Sequence, residues 1–517
     1  MKRNIPHSLW AAALLLASVS CSQDKLAVTP DVGGTDTLTI TVTDGGYRST
    51  PGSNGASAEQ PQTRATENGY RTEFTVGDVC GLYVVRAGKV VLSNVKLIAD
   101  PSTDGSLKWL PGIGITLAGG MADENYFLYY PYQADMSGKV DVAATDAEGF
   151  FAPLVSGWQP KADQSTYAAY YASDLMTARG TATRNGGSLN LSFSMTHRMA
   201  LAVIEMPTLT YIFNNADVAI PNYAAAMSAD FTDSDVRPYG ISPGTYRCIV
   251  NPAAGAAASI IGEYDGGNKG FYFSVDGIAA GSCKTYRIDG AMTKSYDLQA
   301  GDFLCKSSSG SWYIVPKAEK PGSECIGIVF HVGHHASDQS NYSSTGIGQQ
   351  KCHGYAVALK DATSKCMWGE EGTNLNNYSS LISFENLDIE WSGYNYTQAI
   401  ISHAGGKDKL NATQETGYPA TYYAVVKYQN ETPAPTGSSG WFLPSIGQMW
   451  KIYQQRGLLT SVVGSTGLIS PYYLSSTEYG LYAKDLALRV AVQNGNVSFA
   501  EKNKELSGNA VRPVLAF

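Results

Sequence analysis

The chain has 517 residues, of which 44% are apolar and only 16% charged, with 54 Gly and 33 Tyr. Soluble proteins average about 25% charged residues; this mix suits exported β-rich chains, where Thr and Tyr fit pleated surfaces and Gly serves the turns. A net charge of −8 and the lack of a basic cluster beyond the first residues argue against nucleic acid as a partner, because phosphate binding needs Lys/Arg patches.

At roughly 100–200 residues per domain the length implies about three domains. Residues 1–20 read as an export signal: Lys2 and Arg3 precede the apolar run Leu9–Ala17, too short to span a bilayer. Ser18-Val-Ser-Cys21 follows. A small residue directly before a Cys resembles the lipobox of bacterial lipoproteins, which implies a lipoprotein signal peptide and lipidation of Cys21. An ordinary signal peptide with an incidental Cys is the alternative. Three acyl chains exceed the two hydrophobic anchors that stable attachment takes, and Ser22 rather than Asp after the Cys favours the outer membrane. Residues 21–36 are polar and Gly-rich, a tether. Seven further cysteines form an odd set without a CxxC, so no zinc site is expected. Four fall between Cys305 and Cys366, where an exported chain could form disulfides, although Cys325 equally reads as a buried small hydrophobe.

The next segment, Thr37-Leu-Thr-Ile-Thr-Val-Thr43, alternates strictly, with Leu38, Ile40 and Val42 on one face of a half-buried strand. A soft stretch from Gly45 to about Tyr70 carries Arg48 and Arg64, in the kind of polar loop that proteases cut. Short alternating runs then recur: 72–76, 77–84, 89–92, 126–131, 173–177, 189–194 and 199–206, then a second set from Leu209 to about Gly290. Such spacing predicts β-sandwiches, and no helix with caps and a clear 3.6-residue period shows between the leader and residue 290.

These residues carry a resemblance. The lipobox, the first strand, Thr63-Arg64-Ala65, Phe74-Thr-Val-Gly-Asp78 with Gly81-Leu-Tyr83, Ser173-Asp-Leu-Met176 and Phe193-Ser-Met-Thr-His-Arg-Met-Ala-Leu201 resemble the fimbrillin-like pilins of Bacteroidales, over about residues 1–292. The resemblance implies two tandem β-sandwich pilin domains, 37–206 and 207–292. It also implies a surface-exposed outer-membrane lipoprotein from which an Arg-specific protease removes the first strand. A strand from another pilin subunit then fills the vacated groove, which is β-strand addition. The cut would follow Arg64 or Arg48. Arg64 is preferred, because Thr-Arg-Ala sits mid-loop before a small residue.

Beyond residue 293 the pattern changes. The segments 296–304 and 310–315 predict a hairpin, 325–331 and 353–361 buried strands, and Tyr396–His403 a helix, while 420–427 fits either helix or strand. Gly440-Trp-Phe-Leu-Pro-Ser445 leads into a helix with Ser445 as N-cap and Gln448 completing a capping box. Met449, Ile452 and Tyr453 form its apolar stripe, Gln448, Lys451, Gln454 and Gln455 its polar face, and Gly457 its stop. Gly440-Trp-x-Leu-Pro-Ser445, Leu474-Ser-Ser-Thr-Glu478 and Val511-Arg-Pro-Val514 together resemble C-type lectin-like domains of secreted bacterial proteins, over about 296–517. The implied fold is α+β, with a short helix on a twisted sheet and paired N- and C-terminal strands. The Glu-Pro-Asn or Gln-Pro-Asp loop and the Trp-Asn-Asp motif of calcium-dependent sugar binding are not present, so no metal or cofactor is assigned.

Bland readings compete with sharp ones. His331, His334, His335 and His353 fit a polar loop better than a metal site. Glu478 fits a loop-fixing carboxylate better than a catalytic one, because a glycosidase needs two converging carboxylates. Neither a nucleophile elbow, a phosphate loop nor a dinucleotide fingerprint occurs, so no enzyme is expected. Trp368, Trp391, Tyr394 and Tyr396 could stack on sugar rings, with core packing the competing role. The combined expectation is a mainly β pilus subunit, a tip adhesin whose lectin-like head binds a glycan or surface ligand through loops between about 331 and 440. A non-polymerising glycan-binding lipoprotein and a cell-surface hydrolase are the alternatives.

Overall fold

The computed structural model describes residues 37–49, 67–68, 70–102, 106–111, 123–185, 188–215, 219–253, 257–378, 389–460, 467–492, 496–499 and 507–517. The signal segment, Cys21, the tether and Arg64 lie outside the described residues.

The first strand, Thr37–Asp44, lies at one edge of an eight-stranded sheet. It runs parallel to Ser188–His197, with Leu38 opposite Leu189, Ile40 opposite Leu191 and Val42 opposite Phe193. The sheet continues through Met176–Arg179, Glu124–Tyr130, Val79–Arg86 and Lys89–Pro101 to Leu107–Pro111. It curls so that both edges share one core: Ile40 and Val42 pack in the cluster that holds Trp109. The alternation read from the sequence is therefore a true inside/outside pattern.

Three short helices, Ala147–Phe150, Ala152–Gly157 and Tyr167–Tyr171, cover the other face. They carry no mark in the sequence, which shows no helix with caps and a clear 3.6-residue period before residue 290. Asp146 caps the first through Gly149 N–H at 2.7 Å, and Thr166 caps the third through Ala169 N–H at 3.3 Å. Each is a turn or two long, so no 3.6-residue period could show in the sequence. Their aromatics, Phe150, Phe151, Trp158 and Tyr170, join Tyr83, Phe127 and Tyr129 with Leu201, Val203 and Ile249 of the second sheet.

That second sheet corrects one boundary. Ala200–Glu205, assigned by the sequence to the first sandwich, lies at the centre of the sheet formed by Tyr239–Ser242, Thr245–Val250, Ser282–Arg287 and Arg48–Ser49. Its Leu201 and Val203 face one core while Ala200, Ala202 and Ile204 face another, so the strand is apolar on both sides and carries no alternation to mark the change of sheet. Arg48 also sits in this sheet: Arg48–Ser49 runs parallel to Ser282–Cys283, and Arg48 N–H donates to Gly281 C=O at 2.9 Å.

The region from Phe303 holds two five-stranded sheets. The expected hairpin forms from Phe303–Lys306 and Trp312–Val315. Ile220 and Leu298 pack in the same core as Leu304 and Ile314, so this region is seated on the preceding one through apolar contact. Helix Gly393–His403 forms, and 419–431 is helical with a π-type segment at Tyr423–Lys427. The last strand, Val514–Ala516, pairs with Gly354–Ala358 rather than with the region's first strands, contrary to the implied pairing of N- and C-terminal strands. Arg512 and Pro513 split the closing segment in two. The first part, Asn509–Val511, joins the other sheet beside Thr363–Cys366 and Tyr472–Glu478. The Arg512 guanidinium is buried, bonded to Asp361 at 2.6 Å and to the carbonyls of Ala358, Leu359 and Gly467, and so ties both sheets to one loop.

The capping box at Ser445 is complete, and Met449, Ile452 and Tyr453 are buried as predicted. Two details differ. Gln448 is fully buried rather than facing out, because its side chain accepts from Ser445 N–H at 2.9 Å in an enclosed cap. The helix ends at Gln454 with Gln455 as its cap, and Gly457 begins a further short helix, Gly457–Thr460. All seven cysteines of the described residues are free and buried, which agrees with the reading of small buried hydrophobes rather than with the alternative of disulfides.

Candidate functional site

The first strand fills a slot whose chemistry changes along its length. Three inward side chains, Leu38, Ile40 and Val42, meet Leu189, Leu191, Phe193 and Met195. Burying Ile40 and Val42 stabilises the seated strand by about 1.5–3 kcal/mol each. The fourth inward position is Asp44, and there the slot becomes polar. The alternation of Ser188–His197 likewise ends inward on a polar residue, His197.

The His197 ring is fully enclosed and lies between two carboxylates. Nε2 is 2.9 Å from Asp44 Oδ1, and Nδ1 is 2.8 Å from Asp174 Oδ2. Tyr47 stacks on the imidazole at 3.8 Å and donates its hydroxyl to Asp174 Oδ1 at 2.7 Å. Asp44 also accepts the backbone N–H groups of Gly46 and Thr72. Burial pushes His197 down, but Asp174 and Asp44 outweigh it and lift the imidazolium to about 10. Burial works against ionisation of Asp44 as well; the His197 bond and charge and the two amides hold it below its ordinary value. The ring is thus a buried cation clamped by carboxylates from the first strand and from the body. Behind the strand, Gly45 N–H bonds Met195 C=O at 3.0 Å and Tyr47 N–H bonds Tyr70 C=O at 2.9 Å, which carries the chain into the second sheet at Arg48.

The sequence motifs did not single out Asp44, Tyr47, Asp174 or His197 as a group. The available signal was two alternating strands that each place a charged or titratable side chain at the last inward position.

The four aromatic candidates in the C-terminal region separate. Trp368 and Trp391 are each 1% exposed, so neither presents a face to a sugar in this conformation. Trp368 donates to Ser475 C=O at 2.8 Å, and Trp391 stacks on His335 at 3.9 Å. Tyr394 is half-buried against Tyr342 and Phe442, and Tyr396, also half-buried, donates to Glu390 at 2.8 Å. His334 bonds Asp338 C=O at 3.0 Å, and no His/Cys/Asp/Glu group of metal-binding form occurs among the described residues. Glu478 is buried and accepts the N–H groups of Leu375 and Asn377 at 2.9 and 3.1 Å, the loop-fixing role read for it. No described helix is long and apolar enough to cross a membrane.

Residues 63–290 match the family described as fimbrillin-like. Over 519 aligned positions the chain is 28% identical to a Bacteroides ovatus protein provisionally named fimbrium tip subunit Fim1C, covering 90% of this chain and 91% of that one. That likeness extends well past residue 290. Two solved structures are also similar. A fimbrial protein from Bacteroides ovatus is 25% identical, covers 94% of this chain and 100% of its own, and gives a TM-score of 0.42. A fimbrial assembly protein from Parabacteroides distasonis is 12% identical, with 46% and 92% covered and a TM-score of 0.24.

Proposed function

We propose that this chain is a fimbrial subunit that exchanges its first strand for one supplied by a neighbouring subunit, and that it stands at the fibre tip as an adhesin. The fimbrillin-like match and the similarity to a protein named as a tip subunit support a role in fimbriae. The observation that carries the finer reading is an asymmetry between two strands. The first strand occupies an edge slot that another alternating strand could fill. Val514–Ala516 is paired in its own sheet, and Val514, Leu515, Ala516 and Phe517 are all fully buried, so this strand cannot be donated without unfolding its region.

In this proposal Cys21 carries the lipid that holds the subunit at the outer membrane until assembly. An Arg-specific protease then cuts after Arg64 in preference to Arg48. The backbone of Arg48 is held in a sheet, whereas a protease needs its substrate extended and free. Residues 296–517 form a lectin-like head for a glycan or another surface ligand. Tyr394 and Tyr396 are the remaining aromatic contacts, and the loops between about 331 and 440 are the place to seek others. Antibody against 296–517 is expected to label fibre ends in electron micrographs; label along the shaft overturns the tip placement. N-terminal sequencing of purified fibres should return Ala65, with Ser49 as the second expected start and any start before Thr37 counting against exchange.

A further inference from the structure

The apolar part of the slot does not select its occupant. Any alternating strand satisfies Leu189, Leu191 and Phe193, and a slip of two residues keeps the same face inward. The polar end is different. Two donors that belong to the body, Thr72 N–H and His197 Nε2, converge on one oxygen of Asp44, Oδ2, and His197 also meets Oδ1. Neither donor leaves with the first strand. With an apolar side chain in Asp44's place, both would be buried without an acceptor, and the imidazolium would keep only Asp174.

We infer that the strand filling this slot is selected, and its register fixed, by a carboxylate at its fourth inward position, and that His197 with the Thr72 amide reads that carboxylate. The inference rests on the strand-exchange reading above and adds the identity of the incoming strand: three inward apolar residues at alternate positions, then an acidic one. Asp174 sits on the far side of the imidazole from the strand, balances the cation and orients the ring. Tyr47, which covers the ring, departs with the first strand; an aromatic three residues after the acidic position would replace it. The titratable groups around His197 are Asp44 from the first strand, Tyr47 from the turn after it, and Asp174 with Tyr170 beyond Tyr47 from the helical layer.

The test uses the full chain with a sequence-specific protease site inserted within 50–66. After cleavage, labelled peptides of residues 37–49 are added in excess, and their replacement of the resident strand is followed by native mass spectrometry and anisotropy. The peptide bearing Asp44 is expected to bind about 100-fold more tightly than the same peptide with Asp44→Asn or Asp44→Leu, since removing one partner of a buried ion pair is strongly unfavourable. In a chain carrying His197→Gln the preference for the acidic peptide should fall below about threefold. Equal binding of the Asp and Asn peptides to the parent chain overturns the selection while leaving strand exchange intact. Persistence of the full preference in the His197→Gln chain overturns the role of His197. Failure of every peptide to exchange overturns strand exchange itself, and this inference with it.

Discussion

His197 has no exposed surface, yet both ring nitrogens face carboxylates, so the folded chain holds a proton there that the unfolded chain releases near neutral pH. The folded value, lifted to about 10, lies above the ordinary histidine value of about 6.5. The unfolded state therefore binds fewer protons between those limits, and stability falls as pH rises through them. Asp44 acts in the opposite range: its contribution is present above its ordinary value and is lost as acid protonates it. Urea midpoints should accordingly be highest between about pH 5 and 6.5, with about 2–3 kcal/mol lost between pH 7 and 9. Asp44→Asn should lower the midpoint at pH 6 and flatten the alkaline slope; an unchanged slope would deny the imidazolium. Glu478 makes a simpler case. Alanine there takes the acceptor from the buried Asn377 N–H and the half-buried Leu375 N–H, and about 1–3 kcal/mol should be lost for each amide that water cannot reach. That role was legible because Ser-Ser-Thr-Glu places a carboxylate at the end of a buried strand. The His197 cluster was not, because its four members lie on three segments far apart in the sequence, Asp44 with Tyr47, Asp174, and His197, and only the fold unites them.

At the scale of elements, the helix Ile446–Gln454 shows what local signals specify. The cap and the apolar stripe were readable, because they depend on residues within a turn of each other, whereas the short strand expected at Trp441 and Leu443 reduces to a single bridge between Phe442 and Val514. Gln448 was misread because helical periodicity treats every amide as surface, whereas an enclosed cap consumes one. Ser445 does more than cap: its hydroxyl donates to Glu390 C=O while accepting from Gln448 N–H. Ser445→Ala should therefore cost more than the ~1 kcal/mol of an exposed cap, about 2–3 kcal/mol in a thermal or urea titration of the full chain. A loss of only a few tenths would mean that Glu390 and Gln448 find other partners. The same limit explains the boundary at residues 198–199. Ser188–His197 alternates and Ala200–Glu205 does not, yet nothing in a two-residue link says that the second strand belongs to another sheet.

Across the whole molecule, the two strands differ in how they are held, and this gives a measurable contrast. The first strand contributes Leu38, Ile40, Val42 and Asp44 to a core that otherwise belongs to later segments. Removing it leaves a lined slot with a matching partner surface. Val514–Ala516 sits between Gly354–Ala358 and the Phe442 bridge, and Phe517 C=O accepts His353 N–H at 2.6 Å. Truncation after Pro513 would remove Val514, Leu515 and Phe517, all fully buried, at about 1.5–3 kcal/mol of lost burial each before any cavity term. That total rivals the stability of an ordinary domain, so the region from Phe303 onward should lose cooperative unfolding. Protection of the 303–517 amides in hydrogen exchange should fall towards that of unfolded chain, and a peptide of residues 509–517 added in trans should not restore it. A chain cleaved behind the first strand should instead regain protection along Ser188–His197 when the 37–49 peptide is supplied. If both strands could be replaced in trans with equal ease, the closing strand would be as exchangeable as the first, and the fibre-terminating role would lose its physical basis.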